Sequence, residues 1–597
     1  MKEAMKKTTF ERVALLLFGS GLLLFFGLFY RHHLWQREQV QLLELIPRHF
    51  LDCLSVNGGF SVFAGEFLTQ FFHIPALGAL LVTGLLILLP QAFRQLIGSL
   101  YGQRRLMTLS WIPSIIYAIL LSDQYYYISG PAGLLIAVTG SVLYVKKALD
   151  NPPYKRIIKG LILLAVLYWL TGGAFLSAAL AMIVAEVIHA CKKHGENTAA
   201  GSIAAVTAYL AFSIVLPLLA RKVLISDTVL QAYLSEAYYA VRFFFPLPLV
   251  LVFISLPLLL VFFHFLPPVV NKGRNTLEEI TVLFTMAVLG SAGLMLFSDF
   301  GEEREMAYEN YVYAGKWDKV ISLAEDNQPE AAVQKAALNL ALGMTGRLSS
   351  DMFHFNQDSA ALFVPYVRRG MTPFISGDVH YHLGLINFAR MFAMETIEST
   401  VDAKLPSRAV RRVAETYLLN GQYEIASRYY KLLSHTLFYR GEALDMLAIT
   451  DGAESLGNNW HLARLRSMMP GSDFFYDHNR MDYALTNLAL SNPSNKMSFD
   501  YLMADCMLRK DFDAFLRNIG LMDRFGYVHV PLPYQEAVAY ILTRIENPPA
   551  TLSSLVTEES VVSRLREYAD AYVTAGSDTL KMKREFGDTY WFYLHYR

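Results

Sequence analysis

The sequence predicts an all-α protein in two parts, a multi-pass membrane half and a water-soluble half built of repeated helices. Three observations lead there. Nine hydrophobic stretches fill the first half of the 597 residues and end near Ser298. Lys and Arg alternate between rich and poor loops along that half, as retention of positive charge on the cytoplasmic side requires. Beyond Ser298 the apolar residues recur at helical spacing, punctuated by a turn pattern that repeats.

About 20 apolar residues cross a hydrocarbon core ~30 Å thick. The stretches that meet this need are Val13–Tyr30, Ile74–Leu89, Met107–Leu121, Ile128–Val145, Gly160–Thr171, Ala174–Ala190, Ile203–Leu219, Leu247–Phe265 and Ile280–Phe297. The fifth and sixth are separated only by Gly172 and Gly173, so they form a tight hairpin. The first follows a basic start, but Tyr30-Arg31-His32-His33 offers no small-residue cleavage site, so it is expected to stay as an anchor.

With the N-terminus inside, the inner segments hold sixteen Lys and Arg. The outer loops hold six: Arg31, Arg37, Arg48, Arg221, Lys222 and Arg242. This bias predicts an odd number of spans and an exported C-terminal half, periplasmic for a bacterial inner-membrane protein. The net charge of zero hides a split. Residues 1–297 carry 22 basic and 14 acidic side chains, and residues 298–597 carry 30 and 38. An acidic exported domain is a poor nucleic-acid binder, since phosphate neutralisation supplies most of that affinity. The three cysteines, Cys53, Cys191 and Cys506, form no disulfide framework. CxxC, HExxH and P-loop patterns are absent.

In residues 298–597 an apolar helix residue repeatedly precedes a turn, and a large residue two places later opens the next helix. The copies are Tyr311-x3-Gly315-x-Trp317, Leu342-x3-Gly346-x-Leu348, Tyr417-x3-Gly421-x-Tyr423 and Cys506-x3-Lys510-x-Phe512. A glycine at the turn permits the left-handed conformation that ends a helix. Stacked helix–turn–helix units bury what one unit cannot. The segment Ala414-Glu-Thr-Tyr-Leu-Leu-Asn-Gly421-Gln-Tyr-Glu-Ile-Ala426-Ser-Arg-Tyr-Tyr430 resembles the tetratricopeptide repeat (TPR). The resemblance implies an irregular TPR-like α-solenoid whose concave face takes a protein or peptide partner. Within this half Asp378, His380 and His382 offer metal-ligand atoms, but alternate residues share a face only on a strand, and a helix is expected here. They are read as structural residues, as is His354.

Nine spans exceed what an anchor needs, so the membrane half is expected to have work of its own. Ionisable residues at mid-membrane, the usual mark of ion-coupled transport, are nearly missing. Glu186, His189 and His264 lie near span ends and are expected to reach the interface by snorkelling.

Charge concentrates instead in residues 31–73, the first outer loop. Val40, Leu43, Phe50 and Leu54 sit at near-helical spacing and predict a helix on the membrane surface, broken at Pro47. A carboxylate here could act as a general base, or hold a divalent cation against a donor phosphate. Arginines could grip phosphate oxygens with two prongs.

This loop and the topology resemble the C-type integral-membrane glycosyltransferases, though the paired Asp-Glu often seen there is absent. The resemblance implies a polyprenyl-linked glycan as substrate and a catalytic acid after the first span, carried over to Glu38, with Asp52 and Glu66 behind it. Arg31, Arg37, Arg48, Asp123 and Arg242 would contact substrate, and no residue is assigned as a dedicated metal ligand. Two further outer loops, Asp123-Gln-Tyr-Tyr-Tyr127 and the segment from Asp227 through Tyr233, Glu236, Tyr238 and Tyr239 to Arg242, would complete the site. Taken whole, the chain also resembles an uncharacterised bacterial family of multi-pass proteins with TPR-like C-terminal helices. The stretches Gly58-Gly-Phe, Phe67-Leu-Thr-Gln-Phe-Phe72-His-Ile-Pro75 and Ala414 to Phe438 carry that likeness. The expected function is therefore lipid-linked glycan chemistry at the bilayer. A non-catalytic envelope scaffold is the alternative, and a transporter the third reading.

Overall fold

The computed structural model describes residues 2–102, 104–192, 196–224, 228–234, 238–240, 247–268, 272–365, 372–400, 404–474, 477, 480–547, 549–575 and 577–597. These are helical throughout. The described residues form no strand, only isolated bridges at Arg104–Pro268 and Tyr126–Tyr239. The chain divides into two compact units: Met1–Glu303 with His435–Phe438, and Arg304–Ser434 with Tyr439–Arg597.

Among the described residues of the first unit, seven helical stretches are long and apolar enough to cross a bilayer. The sequence led to nine, and two local features account for the difference. The Met107–Leu120 helix is too short to count among the seven. Pro153–Lys192 is one 40-residue apolar stretch, folded as helices Pro153–Thr171 and Phe175–Lys192 about the turn Gly172–Ala174. Gly172 takes φ +55° at that turn, a conformation that side chains bearing a Cβ avoid.

One expectation fails here. Glu186 does not snorkel. It is fully buried, and its carboxylate pairs with Arg156 at 3.0 Å and accepts the Tyr144 hydroxyl. A glutamate so enclosed by packed helices finds its counter-charge across the bundle rather than in water.

The expected surface helix of residues 31–73 is in fact three helices. Arg31–Gln39, Pro47–Leu54 and Gly59–Gln70 are separated by non-helical backbone at 41–45 and a left-handed turn at Gly58. Pro47 therefore begins a helix instead of breaking one, as its locked φ and missing N–H favour at a first turn. The carboxylate of Glu303 caps the first of these helices, accepting the backbone N–H of His32 and His33 at 2.7 and 2.8 Å.

The second unit realises the repeated turn atom by atom. Gly315, Gly346, Gly421 and Lys510 all adopt positive φ, between 58° and 75°. The next residue's N–H then reaches back to the apolar position that opens each copy: Lys316 to Tyr311 O, Arg347 to Leu342 O, Gln422 to Tyr417 O and Asp511 to Cys506 O, at 2.7–2.9 Å. This is the six-to-one bond of a Schellman cap. A fifth copy, Gly384 with Leu385 N–H to His380 O, was hidden because histidine fills the apolar position. Helices Thr372–His382, Ile386–Ser399, Ser407–Leu419, Tyr423–Ser434 and Arg440–Thr450 each pack on the next in the chain.

Candidate functional site

The first loop gives each singled-out residue a different setting. Glu38 is buried and lies 3.4 Å from His73 Nδ1. Asp52 faces Arg48 at 3.8 Å, both well exposed. Glu66 lies 3.4 Å from His49 Nε2, and the same nitrogen is 3.6 Å from Cys53 Sγ. Hydrogen bonds to Cys53 and Glu66 push the His49 pKa up to about 10. Arg31 is exposed and bonds its neighbour His32 through Nε at 3.2 Å. Arg37 is buried and donates to the backbone carbonyl of Asp123. The carboxylate of Asp123 accepts the N–H of Tyr125. Arg242, with Asp227 and Glu236, lies outside the described residues.

The structure does bring the tyrosine loops together. Tyr127 N–H donates to Tyr238 O at 3.0 Å and Ala240 N–H to Tyr125 O at 2.8 Å, a short antiparallel bridge. The Tyr126 and Tyr239 rings meet at 4.7 Å. Arg37 thus ties the first loop to a platform built from the other two.

The second unit holds a feature that sequence reasoning passed over. Helix Ser407–Leu419 carries Arg408, Arg411, Arg412 and Glu415, spaced so that all four share one side. Asp378, on helix Thr372–His382, is buried and accepts from Arg408 and from Arg412, the latter at 2.7 Å. Burial alone would raise the Asp378 pKa, but Arg408 and Arg412 together hold it below the ordinary carboxylate value. Arg412 also pairs with Glu415 at 2.9 Å and stacks over the Tyr381 ring. Arg411 reaches Glu415, Glu442 and the Tyr313 hydroxyl.

Of these side chains Tyr313, Tyr381, Arg408, Arg411, Arg412 and Glu415 line a cavity of about 400 Å³, together with Trp317, Trp460, His461 and Arg464. Trp460 is 74% exposed at its edge. The segment of Asp378, His380 and His382 is helical, as expected; His380 Nδ1 bonds Ser376 O at 2.7 Å, and His382 sits edge-on to Trp317. Burial lowers both imidazoles, to about 4 and about 3, so they are neutral at physiological pH. The missed signal was the run Arg408-x2-Arg411-Arg412-x2-Glu415, one turn pattern of charge on an otherwise apolar helix.

Chemically, the cavity presents guanidinium groups between aromatic faces, with the Glu415 carboxylate and the His382 and His461 imidazoles beside them. A family model described as a family of unknown function, DUF6057, matches residues 6–597. The chain belongs to this family. No curated protein and no solved structure matches it.

Proposed function

We propose that the chain is a bacterial inner-membrane envelope protein whose C-terminal helices form a TPR-like solenoid on the periplasmic side. The solenoid captures a protein segment that carries carboxylates and an apolar side chain. The cavity between Arg412, Arg464, Trp317 and Trp460 carries this reading. Trp, Tyr and Arg are the residue types that dominate binding hot spots. Arg464 lines the same cavity as Trp460, and a guanidinium offers a planar fork for two-pronged carboxylate recognition. The volume lies within the range of about 300–1,000 Å³ usual for ligand pockets. The sixteen-to-six bias of basic residues supports the periplasmic placement.

The test uses the full chain in nanodiscs and a library of acidic and neutral peptides. Enrichment of acidic peptides, lost in Arg464→Glu and in Trp460→Ala, is the expected result. Equal enrichment in wild type and both variants overturns it.

The convergence of three loops at Arg37, Asp123, Tyr126 and Tyr239 favours a second reading, a C-type glycosyltransferase-like enzyme acting on polyprenyl-linked glycan. Mass spectrometry of polyprenyl-linked lipids in a deletion strain tests it. A glycolipid cleared by wild type but not by Glu38→Gln, Asp52→Asn or Glu66→Gln supports transfer. An unchanged lipid profile removes it.

A further inference from the structure

We propose that His49, Cys53 and Glu66 form a binding site for a thiophilic divalent cation, Zn²⁺ foremost, with three protein ligands and one open position. The inference is independent of the peptide-binding reading and shares Glu66 with the transferase reading; metal uptake is measured apart from any transfer activity.

His49 and Cys53 are four residues apart on helix Pro47–Leu54, so both side chains leave the same face. Glu66 approaches from helix Gly59–Gln70. The turn between the two helices is tightly defined. Gly58 sits at φ +76°, and a Cβ on Gly59 would fall 1.8 Å from the Cys53 carbonyl oxygen. Only glycine lets the second helix start against the end of the first. The Phe50 and Phe63 rings then lock the pair edge to face at 4.8 Å.

Two of the three spacings are those of a tetrahedral site; the third, from Cys53 Sγ to the Glu66 carboxylate, is within 4.8 Å, and binding would draw it toward the about 3.6 Å of a tetrahedron. With Zn–S of about 2.3 Å and Zn–N and Zn–O of about 2.0–2.1 Å, tetrahedral angles place S and N about 3.6 Å apart and N and O about 3.3 Å apart. The structure has Sγ–Nε2 at 3.6 Å and Nε2–Oε2 at 3.4 Å, and the three ligand atoms all lie within 4.8 Å of one another. The Glu66 side chain is only 11% exposed and His49 29%, so a bound ion would be shielded on the protein side and open on the other. One thiolate and one imidazole select a borderline-soft metal over Mg²⁺ or Ca²⁺, which take oxygen ligands. Three protein ligands are the number found where zinc keeps a position for water or substrate.

The experiment uses the full chain in detergent, free of any affinity tag, stripped with chelator and then titrated with Zn²⁺ and separately with Co²⁺. One Zn²⁺ per chain is expected, with a Co²⁺ spectrum of tetrahedral intensity and a thiolate charge-transfer band. Cys53→Ser abolishes that band, while Cys191→Ser leaves it. His49→Ala and Glu66→Gln weaken Zn²⁺ binding by at least about tenfold, the lower bound for disturbing even an outer-shell partner. Thermal unfolding of each variant confirms that it is folded. Stoichiometry unchanged by the triple substitution, or no uptake by folded wild type, overturns the proposal and leaves a hydrogen-bonded triad.

Discussion

The two units bury charge in different ways. In the membrane unit, Glu186 and Arg156 form a pair whose side chains are 0% and 3% exposed, with the Tyr144 hydroxyl as a third member. In the second unit the charges are pooled: Arg408, Asp378, Arg412, Glu415, Arg411 and Glu442 each touch the next. An apolar bundle supplies few spare polar groups, so a buried charge there must be matched by one partner of opposite sign. A helical stack with a wet rim can share charge over several residues. The lesson is that a buried ion pair depends on one partner, whereas a pooled network at a cavity wall spreads that dependence over several.

Four perturbations break or sharpen that contrast. The largest effect is expected from Asp378→Ala, which takes one buried carboxylate away from two guanidiniums at once. Removing one partner of a buried pair costs about 3–5 kcal/mol, and the upper end applies here. Chemical unfolding of the full chain should show the loss, partly restored when Arg412→Met is added. Simple additivity of the two substitutions would mean that the residues do not act as a network.

Glu186→Ala strands one guanidinium and is expected to cost about 3 kcal/mol, read as thermal unfolding in detergent. An unchanged midpoint would mean that water reaches the pair.

The third test is pH. Glu536 is buried, accepts the N–H of Tyr590 at 2.7 Å, and is pushed by burial from 4.5 up to about 7. The folded state therefore holds this proton more tightly than the unfolded chain. The stability it contributes is complete below pH 4.5 and is lost as pH rises through about 7, no more than ~3.5 kcal/mol at ~1.4 kcal/mol per unit. Glu536→Gln should flatten the decline between pH 5 and pH 8; a wild-type slope in that variant would assign the decline elsewhere.

The smallest is Gly421→Ala. No atom lies within 4 Å of the added Cβ, so only the left-handed backbone, φ +75°, is strained. A loss of about 1–2 kcal/mol is expected. A loss well above that would show that packing at this turn matters more than its dihedral.

Much of this protein was legible without coordinates, and the reason is locality. A helix cap is decided within six residues, so Tyr311-x3-Gly315 and its relatives announced their turns, even where Lys510 stands for glycine. Gly384 escaped only because His380 disguised the apolar position. Apolar stretches announce membrane helices for the same reason, although the short Met107–Leu120 helix and the hairpin at Gly172 depend on how the chain folds back. The individual charges of the first loop were legible too, but their partners were not. His73 for Glu38, the Asp123 carbonyl for Arg37, and Cys53 with His49 for Glu66 follow from how three short helices turn at Gly58 and Pro47.

Helical character, the change of solvent near Ser298 and the recurring caps follow from the sequence by itself, because each depends on neighbours along the chain. Only the tertiary structure decided that Glu186 meets Arg156, that Glu303 caps the helix of His32 and His33, and that Asp378 gathers two arginines around a cavity. Electrostatic matching acts through space, between residues 30 to 271 positions apart, and no local pattern records the distance it must close.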